Sequence, residues 1–283
     1  MSTYPSPSPA SLARIQEIFT PELYSQVYDT WYNDLPHSSV VAPEATVKKW
    51  FGLLSPAENT ALDELCTRRF KSALSLLLPD AFPLPEPLPN SHAEERRQDA
   101  HIAAPFFGTN SAFPTVASGG SNGGTGGLTD EEARNALGLI ILLDQMPRNI
   151  FRANQAVIYN HLDRISRAVT YTFLSLKPNR RPDTQASISV SPIRRIFWYL
   201  PLMHSEWLQD HVRYSELMSE CRAEIESKGQ KEALDWVDMN SKSEEKHVSL
   251  LKEYGRYPHR NEHLGRVSTP AEQFFLDNGG TYY

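Results

Sequence analysis

Apolar residues recur at helical spacing along most of this chain. Leu62, Leu65, Cys66, Phe70, Ala73, Leu74 and Leu77 fall close to a 3.6-residue period, which predicts one helix face turned to a core. Residues 133–146 are apolar around most of the helical circumference, the pattern of a central helix rather than a surface one. Ile193, Ile196, Phe197 and Leu200 mark another apolar face, running up to Pro201, and Leu208, Val212, Ser215, Met218 and Cys221 mark a further one. Strand-like alternation is rare. The pattern therefore predicts an all-α fold of about ten helices with no sheet.

Polar signals punctuate these faces. Thr20-Pro21-Glu22 reads as an N-cap followed by proline in the first turn, and Ser55-Pro56-Ala57-Glu58, Thr129 to Glu132, and Thr269-Pro270-Ala271-Glu272 read as capping boxes. Pro147 is expected to end the central helix, leaving Asp144 and Gln145 in its last turn. Later helices are expected over about 153–175 and 231–254, the second stopping at Gly255. The first ten residues, rich in serine and proline, predict a disordered tail with order from Leu12, and 11–283 a single helical domain. Prolines 79, 83, 85, 87 and 89 and glycines 119, 120, 123, 124, 126 and 127 mark 79–127 as a flexible insertion, with room for a short helix over 93–100. No lysine follows those glycines as a phosphate-binding loop requires.

Composition narrows the partners. With 34 acids against 28 bases the formal charge is −6, giving no general field for nucleic acid or an anionic membrane. No apolar run reaches spanning length and the first residues lack a signal peptide's apolar stretch, so a cytoplasmic location is expected. Cys66 and Cys221 lack metal-ligand spacing and read as buried thiols.

Candidate chemistry gathers in three blocks at helix breaks. The first holds Asp144, Gln145, Arg148, Asn149 and Arg152, where a carboxylate drawn out of water needs a cation such as Arg148 or Arg152. The second is His204-Ser205-Glu206. Adjacent residues rarely form a working triad, so Ser205 reads as a helix N-cap, while His204 is a candidate acid or base. The third holds Arg256, His259, Arg260 and Asn261. His259 and His263 have the i, i+4 spacing of a metal pair, but no cysteine or second acid reinforces it and Pro258 favours a turn, so no metal site is expected.

These blocks carry a resemblance. Leu142-Leu143-Asp144-Gln145-Met146-Pro147-Arg148-Asn149-Ile150-Phe151-Arg152, Leu200-Pro201-Leu202-Met203-His204-Ser205-Glu206 and Gly255-Arg256-Tyr257-Pro258-His259-Arg260-Asn261, continued by Leu264-Gly265-Arg266 and Ser268-Thr269-Pro270-Ala271-Glu272, resemble the signature of domain of unknown function 924, in a fungal-type form with a Pro/Gly-rich insertion. Trp50-Phe51-Gly52 and the helix after Ser55 look similar to that family's N-terminal part, so the resemblance covers 24–78 and 128–277. It implies antiparallel helix pairs stacked as a tetratricopeptide-like right-handed array, and it names no reaction or cofactor. The chain departs from the family pattern at 79–127, at the Asn179 to Ser191 loop, and at Tyr159-Asn160-His161, where the family carries an aspartate.

The expected function is a polar pocket for a small phosphorylated or carboxylated molecule. In it Asp144, His204 and His259 are the acid/base candidates, and Gln145, Arg148, Asn149, Arg152, Glu206, Arg256, Arg260 and Asn261 bind or position the ligand. The alternative is a tetratricopeptide-like protein-interaction module whose polar blocks act as a structural clasp.

Overall fold

The computed structural model describes residues 5–32, 35–88, 90–107, 113 and 128–280, and among them no strand occurs. Side-chain capping sets several helix starts. α1 (Pro9–Ile18) begins after Ser8, whose hydroxyl accepts from Ser11 N at 3.0 Å. The loose tail expected through residue 10 is thus already helical at Pro9, while residues 1–4 lie outside the described residues. α2 (Pro21–Tyr32) and α3 (Glu44–Trp50) follow, and α4 (Pro56–Ser75) opens on the complete Ser55–Glu58 capping box.

Within the segment expected to be a flexible insertion, the described residues 79–88 and 90–107 include core residues. α5 (His92–Ala103) carries buried Ile102 and Ala103, and Phe82, Phe106 and Phe113 around it are all at most 1% exposed. Aromatic burial anchors this segment even though its prolines cannot donate backbone hydrogen bonds. The glycines at 119–127 lie outside the described residues.

α6 (Asp130–Ile150) is the central helix, opened by the Thr129–Glu132 box and packed against α2, α4 and α7 (Asp163–Leu174). Gly138 lets α2 approach so closely that a Cβ there would lie 2.2 Å from the Tyr24 carbonyl oxygen. Pro147 does not end α6 as expected; it sits inside the helix, which runs one turn further. Side chains brace that turn, with Arg148 Nη1 donating to Asp144 O and Asn149 Nδ2 to Gln145 O, both at 3.1 Å.

α7 is entered through a short turn, Gln155–Val157, and a π-helical turn, Ile158–Leu162, so the expected helix over 153–175 is not uniform. Between 192 and 203 the chain makes the one-turn helices Pro192–Arg195 and Leu200–Met203. Pro201 lies in the first turn of the second, where its missing N–H costs nothing. α8 (Leu208–Ser227) and α9 (Leu234–Tyr254) then form a pair, with α9 closed by Gly255 at φ +73. The buried face of α8 is only partly the expected one: Met218 and Cys221 are buried, but Leu208 and Val212 are 38% and 60% exposed. His211 and Tyr214 face inward in the first half of the helix, where His211 finds buried partners in Glu244 and Ser205 O. α10 (Pro270–Asp277) opens on the Thr269–Glu272 box. Cys66 and Cys221 are free and buried, and burial pushes both thiols up to about 11.

Candidate functional site

The last turns of α6 meet the 199–207 joint at a buried acid–imidazole pair. Asp144, 1% exposed, has its Oδ1 2.8 Å from His204 Nδ1, and Gln145 Nε2 donates to its Oδ2 at 2.5 Å. A carboxylate on Nδ1 holds the proton there and leaves Nε2 as the acceptor on the far side of the ring. Burial would raise the Asp144 carboxyl, but His204 and then Arg148 outweigh it and hold it at about 2, so it stays an anion at neutral pH. The main partner of Asp144 is therefore His204, from a different block.

Arg148 links this pair to a second acid. Its Nη1 donates to Asp163 Oδ1 at 2.9 Å and its Nη2 lies 3.9 Å from Asp144 Oδ1. Burial opposes the guanidinium charge, and Asp163 followed by Asp144 more than restores it. Asp163 sits two residues past Tyr159-Asn160-His161. The π-helical turn just before it places a carboxylate against the first block after all.

Arg260 approaches from the third block. Its guanidinium carbon lies 4.5 Å from the Tyr159 ring centroid and 4.7 Å from that of Tyr257, so two aromatic faces hold it. Its nearest carboxylate oxygen, on Asp163, is 3.8 Å away, beyond hydrogen-bonding distance, and its Nε is buried without a partner. Arg260 is only 6% exposed. It is a buried cation whose donors are largely uncommitted.

His204 and Arg260 open onto one cavity of about 520 Å³, a volume suited to a small molecule. Tyr159, Asp163 and Glu206 share the wall with them. Five arginines, 164, 167, 256, 260 and 266, line the wall; 164 and 167 are paired with Glu95, 256 with Glu272 and 266 with Glu206, which leaves Arg260 the least committed cation.

Several expected site residues go elsewhere. Arg152 does not pair with Asp144; it makes a bidentate pair with Asp63 at 2.8 and 2.9 Å and is half exposed. Arg256 reaches the cavity rim but spends its donors on Glu272 at 2.6 and 2.8 Å and on Val267 O. Glu206 accepts from both Arg266 nitrogens and from Tyr257 N, and burial, which would raise its carboxyl, is outweighed by Arg266 and then Arg260. Asn261 donates to Ser268, and Asn149 only braces its own helix. His259 stacks on Tyr257, centroids 5.6 Å apart, and is not on the cavity wall; burial and Arg260 lower it to about 4. Ser205 is not the N-cap of α8, a position held by Trp207; its hydroxyl accepts from Trp207 N at 3.1 Å.

Sequence reasoning missed the charged zipper between α5 and α7. Arg167, 4% exposed, reaches Glu95 at 3.2 Å, Asp99 at 3.1 Å and Asp210 at 3.7 Å, while Asp210 also binds His92 at 2.8 Å and Tyr171 at 2.5 Å. Burial alone would raise Asp210, but His92, Arg167, Ser205 and Tyr171 together lower it. The only signal was the helical spacing of acids at 95 and 99 and of arginines at 164 and 167, blurred by Glu94, Arg96, Arg97 and Asp163 beside them.

Asp144, Asp163 and His204 offer ligand atoms within 4.8 Å of one another, a set that suits a divalent cation by type. Arg148 already lies against both carboxylates and supplies their counter-charge. The other metal candidate, His259 with His263, straddles the Tyr159 ring at 6.3 and 6.0 Å. No helix among the described residues is long and apolar enough to cross a membrane.

Comparison with known proteins bears on the fold and on the motifs. A family model described as bacterial protein of unknown function, DUF924, matches residues 27–280. The solved structure of a protein of unknown function, ATU0120 from Agrobacterium tumefaciens, is 24% identical; the match covers 91% of this chain and 98% of that one, with a TM-score of 0.50. That likeness concerns the fold alone. No curated protein matches the chain.

Proposed function

We propose that this chain, which belongs to the DUF924 family, binds a small carboxylated or phosphorylated molecule in the cavity between α7, the 201–209 joint and the 255–266 turn, with His204 placed to move a proton. The observation that carries this reading is Arg260. A cation held between two tyrosine faces, buried, with its Nε unpartnered and its nearest carboxylate, Asp163, at 3.8 Å keeps donors that an incoming anion can take. His204 stands on the same wall, its ring oriented by Asp144 and its Nε2 free to accept a proton from the bound molecule or return one to it.

The test is calorimetric titration of phosphate, acetate and citrate into wild type, Arg260→Gln and Arg152→Ala. Arg260→Gln is expected to weaken binding by about tenfold or more, the worth of a charge-assisted pair. Arg152→Ala breaks only an exposed ion pair, so it should cost under about 1 kcal/mol of stability and leave binding intact. Binding that survives Arg260→Gln unchanged contradicts the reading.

The clasp reading is favoured by Arg152–Asp63, Arg256–Glu272 and Arg266–Glu206, which tie helix ends together without using a ligand. On that reading the chain is a tetratricopeptide-like interaction module, and Arg260→Gln would lower stability with no effect on any titrated anion.

A further inference from the structure

The cavity has a second end with different chemistry. Where α5 meets the start of α8, the cations are already matched. Glu95 Oε1 accepts from Arg164 Nε at 3.1 Å and Arg167 Nη2 at 3.2 Å. Arg164 directs its remaining nitrogens to Pro85 O at 2.8 Å and Gln98 Oε1 at 3.1 Å. Leu88 N donates to Glu95 Oε2 at 2.9 Å. These bonds hold the proline-rich run 83–88 down on α7, so that it forms part of the cavity wall.

The surface that run gives to the cavity is Pro87 and Leu88, joined there by Trp207 and Leu208. Trp207 is fixed by its backbone bond to Ser205 Oγ and by His92 of α5, ring centroids 5.3 Å apart. An apolar wall whose neighbouring charges are all paired disfavours a second charged group and favours apolar area. The indole adds a face on which a ring can stack. A bare phosphate or acetate would leave most of the 520 Å³ unfilled.

We infer that the ligand is amphiphilic: an acid or phosphate monoester whose anion meets Arg260 and whose aryl or branched-alkyl body lies against Pro87, Leu88 and Trp207, which set specificity. This rests on the anion reading of Arg260 and adds what the rest of the ligand must be.

Paired probes test it: inorganic phosphate against phenyl phosphate, and acetate against benzoate, titrated into wild type, Trp207→Ala, Leu88→Ala and Arg260→Gln. Wild type is expected to prefer the aryl member of at least one pair by about tenfold or more, as burial of a phenyl ring implies. Trp207→Ala and Leu88→Ala should shrink that preference while leaving the small anion's affinity unchanged. Leu88→Ala, a partly exposed site, keeps the test open should Trp207→Ala fail to fold. Arg260→Gln should weaken both members together. Equal affinity within each pair, still dependent on Arg260, overturns the amphiphile and leaves the anion reading standing. Binding independent of Arg260, or no binding of any probe, overturns both.

Discussion

Arg167→Met is expected to destabilise the protein by about 3–5 kcal/mol, the cost of removing one partner from a buried ionic cluster. The guanidinium is 4% exposed and stands among Glu95, Asp99 and Asp210, none of them more than 3% exposed. Methionine fills similar space but leaves three carboxylates facing one another. Asp99, whose carboxyl burial already raises despite Arg167 and Arg96, would take up a proton first. Denaturant unfolding measures the loss. Adding Asp99→Asn and Glu95→Gln to Arg167→Met should recover part of it by removing the repulsion. A single variant within 1 kcal/mol of wild type would show that water reaches the cluster.

Gly138→Ala is expected to destabilise by about 3 kcal/mol, at the upper end of overpacking costs. In an ordinary helix interior the same change gains roughly 1 kcal/mol from backbone entropy, so its sign here is diagnostic. The new Cβ would sit 2.2 Å from Tyr24 O and 2.9 Å from Tyr24 C, both backbone atoms that no rotamer can move. α2 and α6 must separate, loosening packing around Val27, Leu137 and Ile141, each 0% exposed. Thermal unfolding with a raised or unchanged midpoint would contradict the close approach.

Helix starts were legible because capping is a local code: Ser55, Thr129 and Thr269 each bond three residues ahead, and the structure uses all three boxes. The core of α6 was legible because its apolar circumference leaves no other place for it. Pro147 misled because the rule against proline in helices ignores side chains that brace the turn, here Arg148 and Asn149. The site was half legible. His204, Asp144 and Arg260 stand at helix breaks, where polar residues in an apolar context are conspicuous. Their pairing was not, since Asp144 with His204, Arg148 with Asp163 and Glu95 with Arg167 depend on how helices cross. Arg152 differs from Arg148 by four positions and faces Asp63 instead. Nothing in the spacing distinguishes them until α4 and α7 are placed.

The central claim is that His204 and Arg260 serve one ligand. Nitrogen-15 NMR of histidine-labelled protein tests this most directly, because it reports the His204 ring itself. The account predicts an imidazole protonated at Nδ1 whose Nε2 resonance moves on titration with phenyl phosphate in wild type and needs about tenfold more ligand or above to move in Arg260→Gln. A His204 ring protonated at Nε2, or one that responds identically with and without Arg260, would contradict it.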